Sequence, residues 1–203
     1  MEIIKKVKGF LSEPTRAFET CKEDPLEEAV KYYLLIAAVY SLLFAMITAM
    51  IYSFIYSVVN PLINNNTILK DNIVLKVPNG ITETFGDFFM LFILMLISVF
   101  IWGVILHVFA YIMGGRWNIS RSIKVAMYSS TPLMLLGWIP VLGIFGWIWT
   151  GALNVVGLHQ YQDLGEGKAI MAVLTPIILL LLIVLALLIV IILMIIPIAI
   201  SRL

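Results

Sequence analysis

His107 is the only strongly titratable side chain deep inside an apolar stretch, in line with Gly103 and Tyr111 at four-residue steps. An imidazole there can handle a proton, or it can stay neutral and bond a neighbouring helix. Tyr128 and Ser129-Ser130-Thr131 add hydroxyls that would line a hydrated path if one existed. His107, Tyr128 and Ser129 are therefore the candidate polar intramembrane site.

Other chemistries lack their residues. The apolar stretches hold no Asp, Glu, Lys or Arg at mid-span, where such a charge is costly and marks an ion path or proton relay. His107 and His159 are separated by a broken segment with no cysteine or glutamate pair beside them, so converging metal ligands are missing. Cys21 is the only cysteine, which rules out an internal disulfide and reads as an ordinary thiol. Neither a phosphate-binding Gly-xxxx-Gly-Lys loop nor a Gly-x-Ser-x-Gly elbow is present. The expectation is a protein that is not an enzyme, with no catalytic, cofactor-binding or metal-binding residue.

The elements that hold these residues are dictated by lipid. The chain has 203 residues, 62% hydrophobic and 12% charged, with a formal net charge of +1. That leaves too little charge to wrap a separate water-soluble domain. A bilayer core is about 30 Å thick, which roughly 20 apolar residues span as a helix. The reading is an all-α polytopic membrane helical bundle with five transmembrane helices, preceded by a short amphipathic N-terminal helix. Residues 1–24 are the cytoplasmic leader and 25–203 the membrane domain, with spans near 32–59, 87–113, 122–136, 140–158 and 169–196 and an extracytoplasmic loop at 60–86.

In the leader, Ile3, Ile4, Val7, Phe10 and Leu11 fall at helical spacing with Lys5, Lys6 and Lys8 opposite. It either lies on an anionic membrane surface or is a solvated basic segment that sets orientation. Asp24-Pro25-Leu26-Glu27 reads as a capping-box start for the first long helix, with Tyr32 and Tyr33 at the membrane interface. Along that helix Ala37, Ser41, Ala45, Ala49, Ser53 and Ser57 repeat every four residues. Small side chains in a row let another helix approach, so Ser41, Ala45, Ala49 and Ser53 are assigned to helix packing.

Asn65-Asn66-Thr67 matches a glycosylation acceptor, and the stretch around Asp71-Asn72 suits a small hairpin. Gly114-Gly115 ends the second span before a basic loop from Arg116 to Lys124. Pro132, Gly137, Pro140 and Gly143 then break residues 125–158 into two short helices, either two crossings or a re-entrant hairpin. The Trp138 to Trp149 run suits interfacial packing or a ligand groove. The last span is read as entered through Thr175-Pro176, closed by Pro197 and facing lipid.

Lys and Arg divide ten to three between alternate sides. The positive-inside rule then puts the amino terminus in the cytoplasm and the carboxyl terminus outside, in the cell membrane. The expected partners are the lipid bilayer and other membrane proteins or the chain itself, with no basic patch for nucleic acid.

From Gly114 to Leu174 the order runs: a GG dipeptide, a basic loop, Ala126-Met127-Tyr128-Ser129-Ser130-Thr131-Pro132, the Ile139-Pro140 and Gly143 break, Trp149, Val156-Gly157-Leu158, and Gly167-Lys168-Ala169. This resembles the prokaryotic form of the Yip1 domain family, as does the Glu13-Pro14-Thr15-Arg16-Ala17-Phe18 leader. The resemblance implies five transmembrane helices with a cytoplasmic amino terminus and a short outer tail. Eukaryotic members associate with Rab GTPases and with one another. This chain lacks their long amino-terminal domain and the Asp-Leu-Tyr-Gly-Pro sequence, so the resemblance carries no Rab-linked role and no catalytic residue. It leaves two functions: a membrane-organising or partner-binding protein acting through helix–helix association, or a small transporter or channel subunit with a path near His107, Tyr128 and Ser129 to Thr131.

Overall fold

The computed structural model describes residues 2–64, 81–115 and 118–200. Asn65, the hairpin around Asp71-Asn72 and Arg116 lie outside the described residues. The described chain is helical throughout: α1 (Glu2–Ser12), α2 (Pro14–Cys21), α3 (Leu26–Asn64), α4 (Ile81–Ile112), α5 (Ile119–Ser129), α6 (Thr131–Leu136), α7 (Pro140–Tyr161) and α8 (Glu166–Ile200).

Four helices are long and apolar enough to cross a membrane: α3 over Leu26–Leu62, α4 over Thr82–Ile112, α7 over Pro140–Tyr161 and α8 over Glu166–Leu193. The fifth expected span, 122–136, is two short helices instead. α5 and α6 meet at Ser130, where Pro132 in the first turn of α6 removes an N–H that a continuous helix needs. Residues 122–132 are buried in protein, and α5 packs against α4, α7 and α3. The break closes on itself. Ser130 Oγ donates to the Met127 carbonyl at 2.7 Å and Thr131 Oγ1 to that of Tyr128 at 2.6 Å, so carbonyls freed by the interruption are satisfied locally.

Glycine marks the places where helices end or touch. Gly114 adopts φ +100°, and the amides of Gly114 and Gly115 return to the carbonyls of Tyr111 and Ala110 at 3.0 and 2.8 Å. This is a Schellman stop for α4, open only to a residue without a Cβ penalty at that φ. A Cβ on Gly146 would lie 3.1 Å from the Leu133 Cα, so α6 and α7 approach almost backbone to backbone.

Several expectations change. The basic loop is shorter than read: α5 starts at Ile119, with Asn118 Oδ1 accepting from Ser120 N at 3.1 Å, and Lys124 lies in the middle of that helix. α3 begins at Leu26, while the Asp24 carboxylate read as its cap is engaged by Lys6 and Tyr128. Tyr32 and Tyr33 face protein rather than the membrane interface. α8 begins ahead of Pro176 and runs through Pro197, a tolerance that transmembrane helices have for proline.

Candidate functional site

The core concentrates at the end of the bundle where the leader docks. α1 and α2 turn their apolar faces inward and bury Phe10, Ala17, Phe18 and Cys21. Neither sequence-level alternative described this part: Phe10, with Ile3 and Val7 partly covered beside it, packs on protein, while Ile4 and Leu11 stay exposed. Phe10 stacks on Tyr128 with centroids 5.0 Å apart and planes at 20°, and meets Phe18 edge-on, also at 5.0 Å. Phe18 in turn meets Tyr161 at 5.6 Å and 84°, and Tyr32 lies 5.4 Å from Tyr128. Offset and edge contacts of this kind add to simple area burial.

Gly157 makes room for the dock. A Cβ there would stand 2.9 Å from the Phe18 ring and 2.7 Å from Val125 Cγ1.

A polar lock surrounds the rings. Lys6 Nζ donates to Asp24 Oδ2 at 2.6 Å, and Tyr128 Oη donates to the same oxygen at 3.2 Å. Burial would raise the Asp24 carboxyl, but the Lys6 ammonium and the Tyr128 hydroxyl outweigh it and hold the group below the usual carboxylate range. Burial would likewise lower Lys6, and the Asp24 hydrogen bond overcomes it, so the ammonium stays charged above its ordinary value. Lys124 Nζ donates to the backbone carbonyls of Lys22 and Asp24, each at 2.8 Å, and lies 5.3 Å from the centre of the Tyr161 ring. A buried ammonium thus caps the carbonyls that follow α2.

The sequence-predicted polar residues fall into separate groups. His107 Nδ1 faces Ser122 Oγ at 3.4 Å, and Ser122 also accepts from Gln162 Nε2 at 2.8 Å. Ser122 Oγ thus links His107 to Gln162, with the donor at the histidine contact set by the imidazole tautomer. Tyr128 belongs to the leader lock. Thr131 Oγ1 spends its proton on the Tyr128 carbonyl, so Tyr32 Oη donates to Thr131 at 2.8 Å. Ser129 is fully buried and its Oγ has no hydrogen-bond partner.

The small-residue stripe is divided too. Ala37, Ser41 and Ala45 are buried in the bundle, Ala49 is partly covered and Ser53 is exposed.

Sequence reasoning missed Phe10, Phe18 and Lys124 as a connected set. Their signal was present as the apolar face of the leader and as a lysine flanked by Ile123 and Val125, but only the folded chain says which surfaces meet. The site offers little to chemistry. Burial lifts the Cys21 thiol to about 11, which keeps it protonated and poorly nucleophilic at neutral pH. Among the described residues, no group of three or more His, Cys, Asp and Glu could hold a metal ion.

Four long apolar helices and an aromatic, hydrogen-bonded leader dock define an integral, multi-pass α-helical membrane protein. Residues 8–188 match the family model for the Yip1 domain, and the chain belongs to that family. No curated protein matches the chain, and no solved structure does.

Proposed function

We propose that this Yip1-domain protein is non-enzymatic and works through helix–helix association, organising partner membrane proteins, further copies of itself or the bilayer. The observation that carries the reading is the stripe on α3, which outruns the chain's own packing: Ala45 is covered, Ala49 only partly, and Ser53 is open. Small residues in hydrocarbon favour close approach of a second helix. Tyr128, by contrast, is enclosed by Phe10 and Tyr32, which supports association over a conduit at that position.

In this reading residues 1–24 are a cytoplasmic leader and 25–203 the membrane domain. In the same reading residues 122–136, carried by α5 and α6 across their break at Ser130, are the fifth crossing. The ten-to-three division of Lys and Arg supports an amino terminus in the cytoplasm and a carboxyl terminus outside the cell membrane.

The test is Ala49→Leu combined with Ser53→Leu, read by crosslinking in membranes and by particle size in mild detergent. Association should fall while the monomer stays folded. Unchanged crosslinking and size would overturn the reading. Ala45→Leu, inside the fold, is the control that should lower stability instead.

A further inference from the structure

Docking fixes which side of α1 looks outward. Phe10 is buried on the bundle, and the outward face is Ile4, Lys5, Lys8 and Leu11, all exposed, with Ile4 at 76%. Among the described side chains neither lysine has an ion-pair partner, whereas Lys6 on the inner side holds Asp24. Two cations beside the exposed aliphatic side chains of Ile4 and Leu11 combine positive charge with apolar surface on one helix face, the pattern that suits an anionic interface.

The height of α1 is also set by the fold. It packs against α6, whose first residue, Thr131, bonds Tyr32 where α3 turns from charged to apolar sequence. α1 therefore lies beside the first apolar turns of a span. We infer that the Ile4, Lys5, Lys8 and Leu11 face binds anionic phospholipid, the ammonium groups meeting phosphate and Ile4 entering the acyl boundary. Charge complementarity selects the headgroup, and the exposed aliphatic side chain selects a bilayer over a soluble anion. The inference concerns lipid choice and does not depend on how the bundle associates.

The experiment uses the full chain with Ile4→Cys carrying a polarity-sensitive fluorophore, reconstituted in phosphatidylcholine vesicles with and without phosphatidylglycerol. Cys21 is 2% exposed, and wild-type protein taken through the same labelling gives the background. Emission should shift to the blue with phosphatidylglycerol, return toward the red at raised salt, and fail to shift in the Lys5→Glu/Lys8→Glu variant. That variant should keep its melting midpoint in phosphatidylcholine, because both side chains are exposed. Equal emission in the two lipids would overturn the inference. So would a blue shift produced by inorganic phosphate over pure phosphatidylcholine, or a lowered midpoint that makes the lysines part of the fold.

Discussion

The Lys6 ammonium and the Asp24 carboxylate lie 2.6 Å apart and join α1 to the turn that opens the first long helix. The pair is three-quarters covered, with side-chain exposures of 23% and 27%. Its electrostatics are therefore only partly screened by salt. The leader is held by this charge pair as well as by its rings.

Asp24→Asn should loosen the leader, read as faster limited proteolysis within residues 1–24 and a lower melting midpoint in detergent. The pH dependence follows from the two shifts. Asp24 sits below the ordinary carboxylate range, so its contribution is present above about pH 4 and is lost as pH falls through the depressed value. Lys6 sits above its ordinary value of 10.5, so its contribution is present below that pH and is lost as pH rises through the raised value. Wild-type docking should be flat between these limits, and Asp24→Asn should remove the acid limb.

Gly157→Ala should destabilise the protein by about 1–3 kcal/mol, the usual cost of forcing an extra methyl into a packed contact. The new Cβ would meet Phe18 at 2.9 Å. Adding Phe18→Leu should recover part of the loss in a double-mutant cycle of melting midpoints, and strict additivity would separate Gly157 from the leader.

Lys124→Met should cost roughly 1–3 kcal/mol, because the carbonyls of Lys22 and Asp24 would lose a charged donor while remaining covered. Chemical denaturation in mixed micelles measures it. A variant as stable as wild type would mean that the ammonium only fills space.

Cys21 should react with a maleimide at neutral pH at least tenfold more slowly than a Thr20→Cys reporter on the exposed side of α2, read in a Cys21→Ser background. Burial and a thiol near 11 act in the same direction. Asp24→Asn should raise the Cys21 rate by releasing the leader.

Much of the architecture was legible from the residues. Long runs without charge leave a chain no solvent but lipid, so α3, α4, α7 and α8 follow from composition and length. Gly114-Gly115 and Pro132 marked an end and a break because each has a local backbone cause. What stayed hidden was which surfaces meet. Lys124 read as part of a loop because charge ordinarily marks solvent, and its two carbonyl partners come from the leader turn. Asp24 read as a cap because a cap is local, while its partners Lys6 and Tyr128 are not. Tyr32 and Tyr33 looked interfacial by residue type. Their hydroxyls instead reach Thr131 and the Met95 carbonyl, each at 2.8 Å, which hydropathy cannot foresee.

The leader dock also sets a schedule for biosynthesis. Tyr128 follows Asp24 by 104 residues, and Tyr161 comes later still. A ribosome therefore delivers Phe10 and Phe18 long before their berth has been translated. Throughout insertion of the first two long helices the nascent leader must wait unsheltered, and its closure is a final step of maturation.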